Sequence, residues 1–508
     1  MTAKTMLVLA AMAALNLQAA EIPALVPMPR SVKAGEGTYR WKGACVDRTC
    51  ATFVTDMNIV KEGYDLSVTT GGIKVVSSGD AGAFYAVQTL KQLATKEKDG
   101  FVFPCVEIKD SPIFSWRGSL LDDCRHFFGK ETVKRLIDQM AMHKMNVLHW
   151  HLTDDQGWRL DIPSHPELVK YGATRPCSPA HGARAKNNDH STIERNGETY
   201  GPFFYSEADI REIIDYASAR FVAIVPEIEL PGHAFCALAA HPELACKPEN
   251  LAARTPRTCW GIEKDVLCVG NDDGIRLYED ILDYVCRVFP SKIIHIGGDE
   301  CPTVRWKDCP KCQARARAVG LETTDRLQEW TTKHFAKFLA ARGRRIIGWD
   351  EILLGDLPKS AIGMRWRMSS KGGAGHNLVT PAEAIARGYD MVMCPTAFCY
   401  VDYGQGLPDD PYDYIGGRIT LEKAYAFDPM EGLEPGCRAH VLGGQCNNWS
   451  EFTWNRFDLE WKMWPRGCAI AEALWTAPQK RDFAAFEKRM EVHRRRLLAQ
   501  HINCAPLR

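Results

Sequence analysis

From Phe114 onward, short apolar runs alternate with stretches in which apolar residues recur every three or four positions. The apolar runs are 117–121, 146–152, 222–228, 293–296, 345–349, 361–365, 390–394 and 441–445. Runs this short and this continuous predict strands buried on both faces, as in a parallel sheet. Between them the period lengthens. Thr132 to Lys144 places Val133, Leu136, Ile137 and Met140 on one helical face. Ser206 followed by Asp209 reads as a capping box, and Ile210, Ile213, Ile214 and Ala217 form the stripe of the helix it opens. Eight strand–helix units predict an α/β fold, a (β/α)8 TIM barrel with long inserted loops over residues 112–508, closed by C-terminal helices. A doubly wound sheet is the alternative.

Residues 21–111 carry a different pattern. Tyr64-Asp65-Leu66-Ser67-Val68 and Ile73-Lys74-Val75-Val76 read as strands, and a helix follows near 81–93. This stretch is expected to be a small α+β domain, and Asp110-Ser111-Pro112 breaks it from the barrel. Residues 1–20 belong to neither unit. Lys4, the apolar core from Met6 to Leu15, and small Ala19 and Ala20 read as a signal peptide, so the protein is expected to be exported, periplasmic or extracellular. That core is too short to span a bilayer, and no later stretch is long enough.

Composition narrows the partners. The chain has 508 residues, 45% hydrophobic and 25% charged, with 63 basic residues against 63 acidic ones. No basic excess is available to hold nucleic acid. Nineteen cysteines are many for such a chain, and the odd count leaves at least one unpaired. Export permits disulfides. Cys45 and Cys50 are close enough to pair. Cys301, Cys309 and Cys312 cluster, but a zinc site wants four ligands, so a disulfide or free buried thiols are expected there ahead of a metal.

The chemistry sits where the strands end. His295-Ile296-Gly297-Gly298-Asp299-Glu300 is a strand pinched by two glycines and followed by two acids. Ligands bind at the carboxyl ends of strands in such folds. Adjacent carboxyls there suit acid catalysis, because ionising one makes the second hold its proton longer. The other strand ends are polar or aromatic as well. They offer Asp122, Asp123, Arg125 and His126; His149 to Arg159, including Asp154; Glu227 to His233; Trp349-Asp350-Glu351; Trp366; Tyr400-Val401-Asp402; and Asn447 to Glu451, including Trp449. Three tryptophans and a ring of carboxylates match a sugar, which has an apolar C–H face and polar hydroxyls.

In order and spacing these motifs resemble glycoside hydrolase family 20, the β-N-acetylhexosaminidases, over nearly the whole chain after residue 20. The resemblance implies an exo-acting enzyme that removes terminal β-linked GlcNAc or GalNAc. It also implies roles. Glu300 would be the general acid and later the base. Asp299 would hold the substrate's acetamido N–H, and Tyr400 would donate to the acetamido oxygen. That oxygen would be the nucleophile, giving an oxazolinium intermediate, a route outside the two-carboxylate scheme. Arg125 and Glu451 would read the ring's outer hydroxyls and Asp402 the O6 side. Trp349, Trp366 and Trp449 would wall the sugar, and His233 and Asp154 would orient the acid pair. Neither cofactor nor catalytic metal is implied; the partner is an oligosaccharide or glycoconjugate. Arg365 and Arg367 flank Trp366 unusually for the family, either as ordinary loop charges or as a bias toward anionic sugars. Two other resemblances are weaker. Gly-Gly-Asp-Glu is also a diguanylate cyclase motif, but there it lies on a hairpin. His149-x-His151 is similar to the metal pair of amidohydrolase barrels, but those carry it on the first strand.

Overall fold

The computed structural model describes residues 22–183, 189, 192–368 and 379–508. The expected signal peptide at 1–20 lies outside them. Eight parallel strands form the barrel: β1 (Trp116–Asp122), β2 (Val147–His151), β3 (Ala223–Glu227), β4 (Ile293–His295), β5 (Arg345–Trp349), β6 (Ile362–Arg365), β7 (Asp390–Met393) and β8 (Val441–Asn448). Each coincides with one apolar run. Gly443 to Asn448 of β8 pair with Trp116 to Leu121 of β1, so the sheet closes on itself and is not doubly wound. Closure explains the continuous apolar runs. One strand face fills the barrel and the other meets helices, so β1, β2 and β6 are buried at every position.

The helix Lys130–Met142 buries Val133, Leu136, Ile137 and Met140 as the period requires. It stops two residues before the expected end, and Lys144 turns out with φ +60°. The helix Glu207–Ser218 has the expected box: Ser206 Oγ accepts from the Asp209 amide at 3.2 Å, and the Ser206 amide donates back to Asp209 at 3.2 Å.

The N-terminal unit is one sheet with a helix, Asp80–Leu93, on its face. Gly100–Asp110 lies between Ser31–Trp41 and Tyr64–Thr69, then come Gly72–Ser77 and Thr52–Thr55, and Thr95–Glu97 also pairs with Gly100–Asp110. Tyr64, Leu66 and Val68 point into its core by strict alternation. Asp110, which reads as a break in the sequence, is instead buried where the sheet meets the barrel. It accepts from Tyr64 Oη at 2.7 Å, Lys144 Nζ at 2.7 Å and Trp475 Nε1 at 2.8 Å.

Cys45 and Cys50, close enough in sequence to pair, are both free. Cys45 Sγ donates to the Asp47 carboxylate and Cys50 Sγ to the Asp47 carbonyl. Among the described residues no helix is long and apolar enough to cross a membrane.

Candidate active site

Strand register builds the floor of the site. Asp122 of β1 sits level with His151 of β2, His151 with Glu227 of β3, and Glu227 with His295 of β4. Four strand ends so aligned gather one buried polar layer. Glu227 lies 3.0 Å from His149 Nε2 and 2.8 Å from His295 Nδ1, contacts His151 Nδ1, and accepts from Trp349 Nε1 at 2.9 Å. This engagement places the His149-x-His151 pair in a carboxylate–imidazole network behind the cavity. His151 has Glu227 on one nitrogen and Asp154 at 2.8 Å on the other. Burial works against its charge, but these two acids outweigh it and push its pKa up to about 10. His149, with weaker compensation for burial, is pulled down to about 4 and stays neutral.

Above this floor a cavity of about 180 Å³ is lined by Arg125, His233, Asp299, Glu300, Trp349, Trp366, Tyr400, Asp402, Tyr403, Ile415, Trp449 and Glu451. The volume is below the roughly 300–1,000 Å³ of sites for drug-sized ligands and suits a single sugar ring. Every site residue expected from the sequence lies on this wall except Asp154, which stands directly behind it. Asp154 receives Arg125 Nη2 at 2.9 Å and faces His233 Nδ1 at 3.2 Å. Arg125 is further fixed by Asp122 at 3.1 Å and Gln156 at 2.9 Å, with Glu451 at 3.8 Å and its guanidinium 5.2 Å from the Trp449 ring centre. Trp349 and Trp449 meet at 5.7 Å between centroids, inclined at 41°. Trp366 lies near-parallel to Tyr400 at 6.5 Å.

Two wall residues carry no assignment from the sequence. Tyr403, 5.7 Å edge-on to Tyr400, follows Asp402 directly and could have been read from that adjacency. Ile415 lies on the connection after β7 and has no sequence signal.

The acid pair hangs on a constrained turn. Gly297 has φ +61°, and a β-carbon there would stand 1.7 Å from Glu229 Oε2. The glycine reading is thereby explained: the Glu229 carboxyl occupies the space of the missing side chain. Glu300 and His233 also adopt left-handed backbone, φ +43° and +46°. Such conformations in non-glycine residues persist where surrounding structure enforces them, and they concentrate at functional sites.

Charge is unevenly shared within the pair. His233 Nε2 is 3.6 Å from Glu300 and 3.9 Å from Asp299. Burial disfavours a charged His233, but Asp154 at 3.2 Å and Asp155 at 3.4 Å outweigh it and hold the imidazolium well above the ordinary range. Asp299 is raised to about 6, first by burial, with the Glu300 charge adding to it and His233 opposing. Glu300 moves the other way. Burial raises it, but His233, Arg125 and Arg367 together bring it below its ordinary value. In the empty site Asp299 therefore keeps its proton to higher pH than Glu300.

Several acceptors wait for donors. Asp299 Oδ1, both Asp402 oxygens and Glu451 Oε2 are buried without a hydrogen-bond partner. Burial is the first cause that holds Asp402 well above the ordinary carboxyl range, with the Glu451 charge next; burial also raises Glu451. Buried polar atoms left open are costly unless a ligand completes them. Tyr400, raised well above its ordinary value by burial, remains a hydroxyl donor. Arg365, the last residue of β6, is buried and meets Asp350, and Arg367 just beyond the strand meets Asp350 at 3.4 Å and Glu351 at 2.8 Å.

Residues 114–478 match the sequence pattern of "Glycosyl hydrolase family 20, catalytic domain", and 46–111 that of "Glycosyl hydrolase family 20, domain 2". The chain belongs to glycosyl hydrolase family 20. Its family 20 relatives include a beta-hexosaminidase of Porphyromonas gingivalis, 40% identical over 446 residues, 86% of this chain and 54% of the relative. The chain thus spans about half the length of that protein. A beta-hexosaminidase of Akkermansia muciniphila is 30% identical over 93% of this chain and 90% of its own length. Among solved family 20 structures, the Vibrio harveyi exo beta-N-acetylglucosaminidase with bound N-acetylglucosamine superposes with TM-score 0.82 at 27% identity, covering 95% of this chain and 78% of that one. The Bacteroides fragilis beta-N-acetylhexosaminidase superposes with TM-score 0.79 at 28% identity, covering 95% and 97%. The barrel, the preceding sheet and the clustered strand ends are what this family membership leads one to expect.

Proposed function

We propose that the protein is an exported, exo-acting β-N-acetylhexosaminidase that works by substrate-assisted, retaining hydrolysis. One observation carries the reading: beside Glu300, in a cavity the size of one sugar, Asp299 presents a buried oxygen with no partner. An acetamido N–H is a donor suited to that oxygen, and Tyr400 supplies the O–H for the acetamido carbonyl. Held between them, the carbonyl oxygen is tethered next to the anomeric carbon, and tethering replaces the entropy of a separate nucleophile. It attacks the anomeric carbon as the glycosidic bond breaks. Glu300 gives its proton to the leaving oxygen, and the bicyclic oxazolinium forms. Glu300 then takes a proton from the water that opens this intermediate, and two inversions give retention.

The low Glu300 pKa of the empty site is consistent with this cycle. Its side chain is 36% exposed when the cavity is empty. A bound glycan covers it, removes water and favours its protonated form. Asp402, Glu451 and Arg125 meet ring hydroxyls at the closed end, which favours a terminal sugar over an internal one.

The test is a panel of aryl β-glycosides of GlcNAc, GalNAc, glucose and lacto-N-biose, with proton NMR of the first product. GlcNAc or GalNAc release as the β-anomer is expected, with the glucoside inert even at saturation. An α-anomer, a turned-over glucoside, or a sugar found covalently on a carboxylate by mass spectrometry would overturn the mechanism. Export is tested separately by N-terminal sequencing of the mature chain, expected to begin near Ala20 or Glu21.

A further inference from the structure

Four cysteines from two connections of the barrel meet in one cluster. Cys246 Sγ is 3.7 Å from Cys312 Sγ, and Cys268 Sγ is 3.6 Å from both Cys309 and Cys312. All four sulfurs lie within 4.8 Å of one another; three of the residues are buried and Cys246 is partly so. Cys301, the neighbour expected from sequence to join Cys309 and Cys312, stands apart, with its Cα and Cβ 3.2 Å from where a Gly232 β-carbon would be. We propose that Cys246, Cys268, Cys309 and Cys312 bind a structural zinc ion.

The geometry separates this from the alternatives. A disulfide needs about 2.05 Å between sulfurs, well short of the spacing found. Zinc–thiolate bonds of about 2.3 Å in a tetrahedron put sulfurs about 3.8 Å apart. The backbone is arranged to match. Cys309-Pro310-Lys311-Cys312 is a two-residue spacing that opens the helix Pro310–Ala318, with proline in its first turn. Ala245 bridges Leu267 in antiparallel register, and the Cys268 amide donates to the Leu244 carbonyl at 3.1 Å, which sets Cys246 beside Cys268. Gly270 lets the second loop touch the first: a β-carbon there would be 2.2 Å from the Lys311 carbonyl carbon and 2.3 Å from the Cys312 amide nitrogen. Four thiolates around zinc carry a charge of −2. Cys309 caps and Cys312 lies in the first turn of the helix Pro310–Ala318, whose amino end favours thiolate.

The site would fasten two loops. Cys246 and Cys268 belong to the long connection after β3 that carries His233. Cys309 and Cys312 belong to the connection after β4 that carries Asp299 and Glu300. Between β3 and the helix Asp272–Val288 the first connection holds only the short turns Phe235–Ala240, Pro242–Leu244 and Pro248–Leu251, a stretch that such an anchor would tie down. Zinc binding would tie these two connections together without entering the reaction. This assignment stands on the cysteines alone and does not depend on the proposed activity.

The test is metal analysis of the full chain purified without chelator. About one zinc per chain is expected. Cys268→Ser should lose at least nine-tenths of it, and Cys286→Ser, outside the cluster, should keep it. If Cys268→Ser fails to fold, wild-type protein titrated with an organomercurial should still release its zinc to a colorimetric indicator in step with thiol modification. Cobalt reconstitution should give the sulfur charge-transfer and tetrahedral d–d bands of a tetrathiolate. Chelator should lower the melting temperature and shorten the thermal half-life while initial turnover at room temperature stays unchanged. A zinc-free chain overturns the proposal, whether intact mass finds two disulfides among these cysteines or four free thiols. A coloured iron tetrathiolate overturns the identity of the metal.

Discussion

At the scale of single residues, the site divides one task between two adjacent acids by giving them unlike surroundings. Asp299 is walled in and raised to about 6; Glu300 lies at the mouth beside the His233 cation. An ionised carboxylate accepts an N–H far more strongly than a protonated one, and a raised carboxyl ionises only above its pKa. So kcat/KM should fall as pH drops through about 6. The Asp299→Asn variant, much slower, should lose that acidic limb in its residual rate. A limb unchanged in the variant assigns it to another group. Glu300→Gln should cost about 10²–10⁴ in rate on natural glycosides, the usual share of general acid catalysis, and less on aryl leaving groups that need little protonation. Equal losses on both would remove Glu300 from the acid role.

At the scale of elements, the turn after β4 is where backbone and chemistry are joined. Gly297 has no room for a side chain, because Glu229 fills the space, and its φ of +61° is left-handed. Gly297→Ala must therefore move the turn, and the acids move with it. A shift near 1 Å at a reacting group costs about 10² in rate. We expect kcat to fall by about that factor and KM to change far less, since the tryptophan wall belongs to β5, β6 and β8. Unaltered kcat would mean that the turn accommodates the methyl without displacing Glu300. The sequence legibly marked this turn, since a glycine pair before two acids announces a close approach. It held no sign that the approaching group is Glu229, two residues beyond the end of β3.

At the scale of the whole molecule, the two units are joined by a buried charge pair. Lys144 and Asp110 meet at 2.7 Å with side chains 1% and 0% exposed. Removing one partner strands the other in a dry interface, which typically costs about 3–5 kcal/mol. Lys144→Ala should lower unfolding stability by that amount in urea titrations followed by tryptophan fluorescence and circular dichroism. Trp475 reports the junction directly, because its Nε1 donates to the same aspartate. A loss under 1 kcal/mol would show that water enters and solvates Asp110.

The sequence by itself determined the eight strands and the side chains at their carboxyl ends. Those follow from local periodicity and from position along a strand, which are properties of neighbours in the chain. Almost the whole cavity wall was legible for the same reason, and Ile415 was not, because it lies in a connection with no pattern. Tertiary structure alone decided what depends on distant residues meeting. Register put Glu227 among three histidines, and barrel closure excluded the doubly wound sheet. Folding of two long connections brought Cys246 and Cys268 to Cys309 and Cys312, where sequence neighbours had pointed to Cys301. The order of ionisation in the acid pair was set last. It depends on burial and on the distance to His233, and both exist only once the chain is folded.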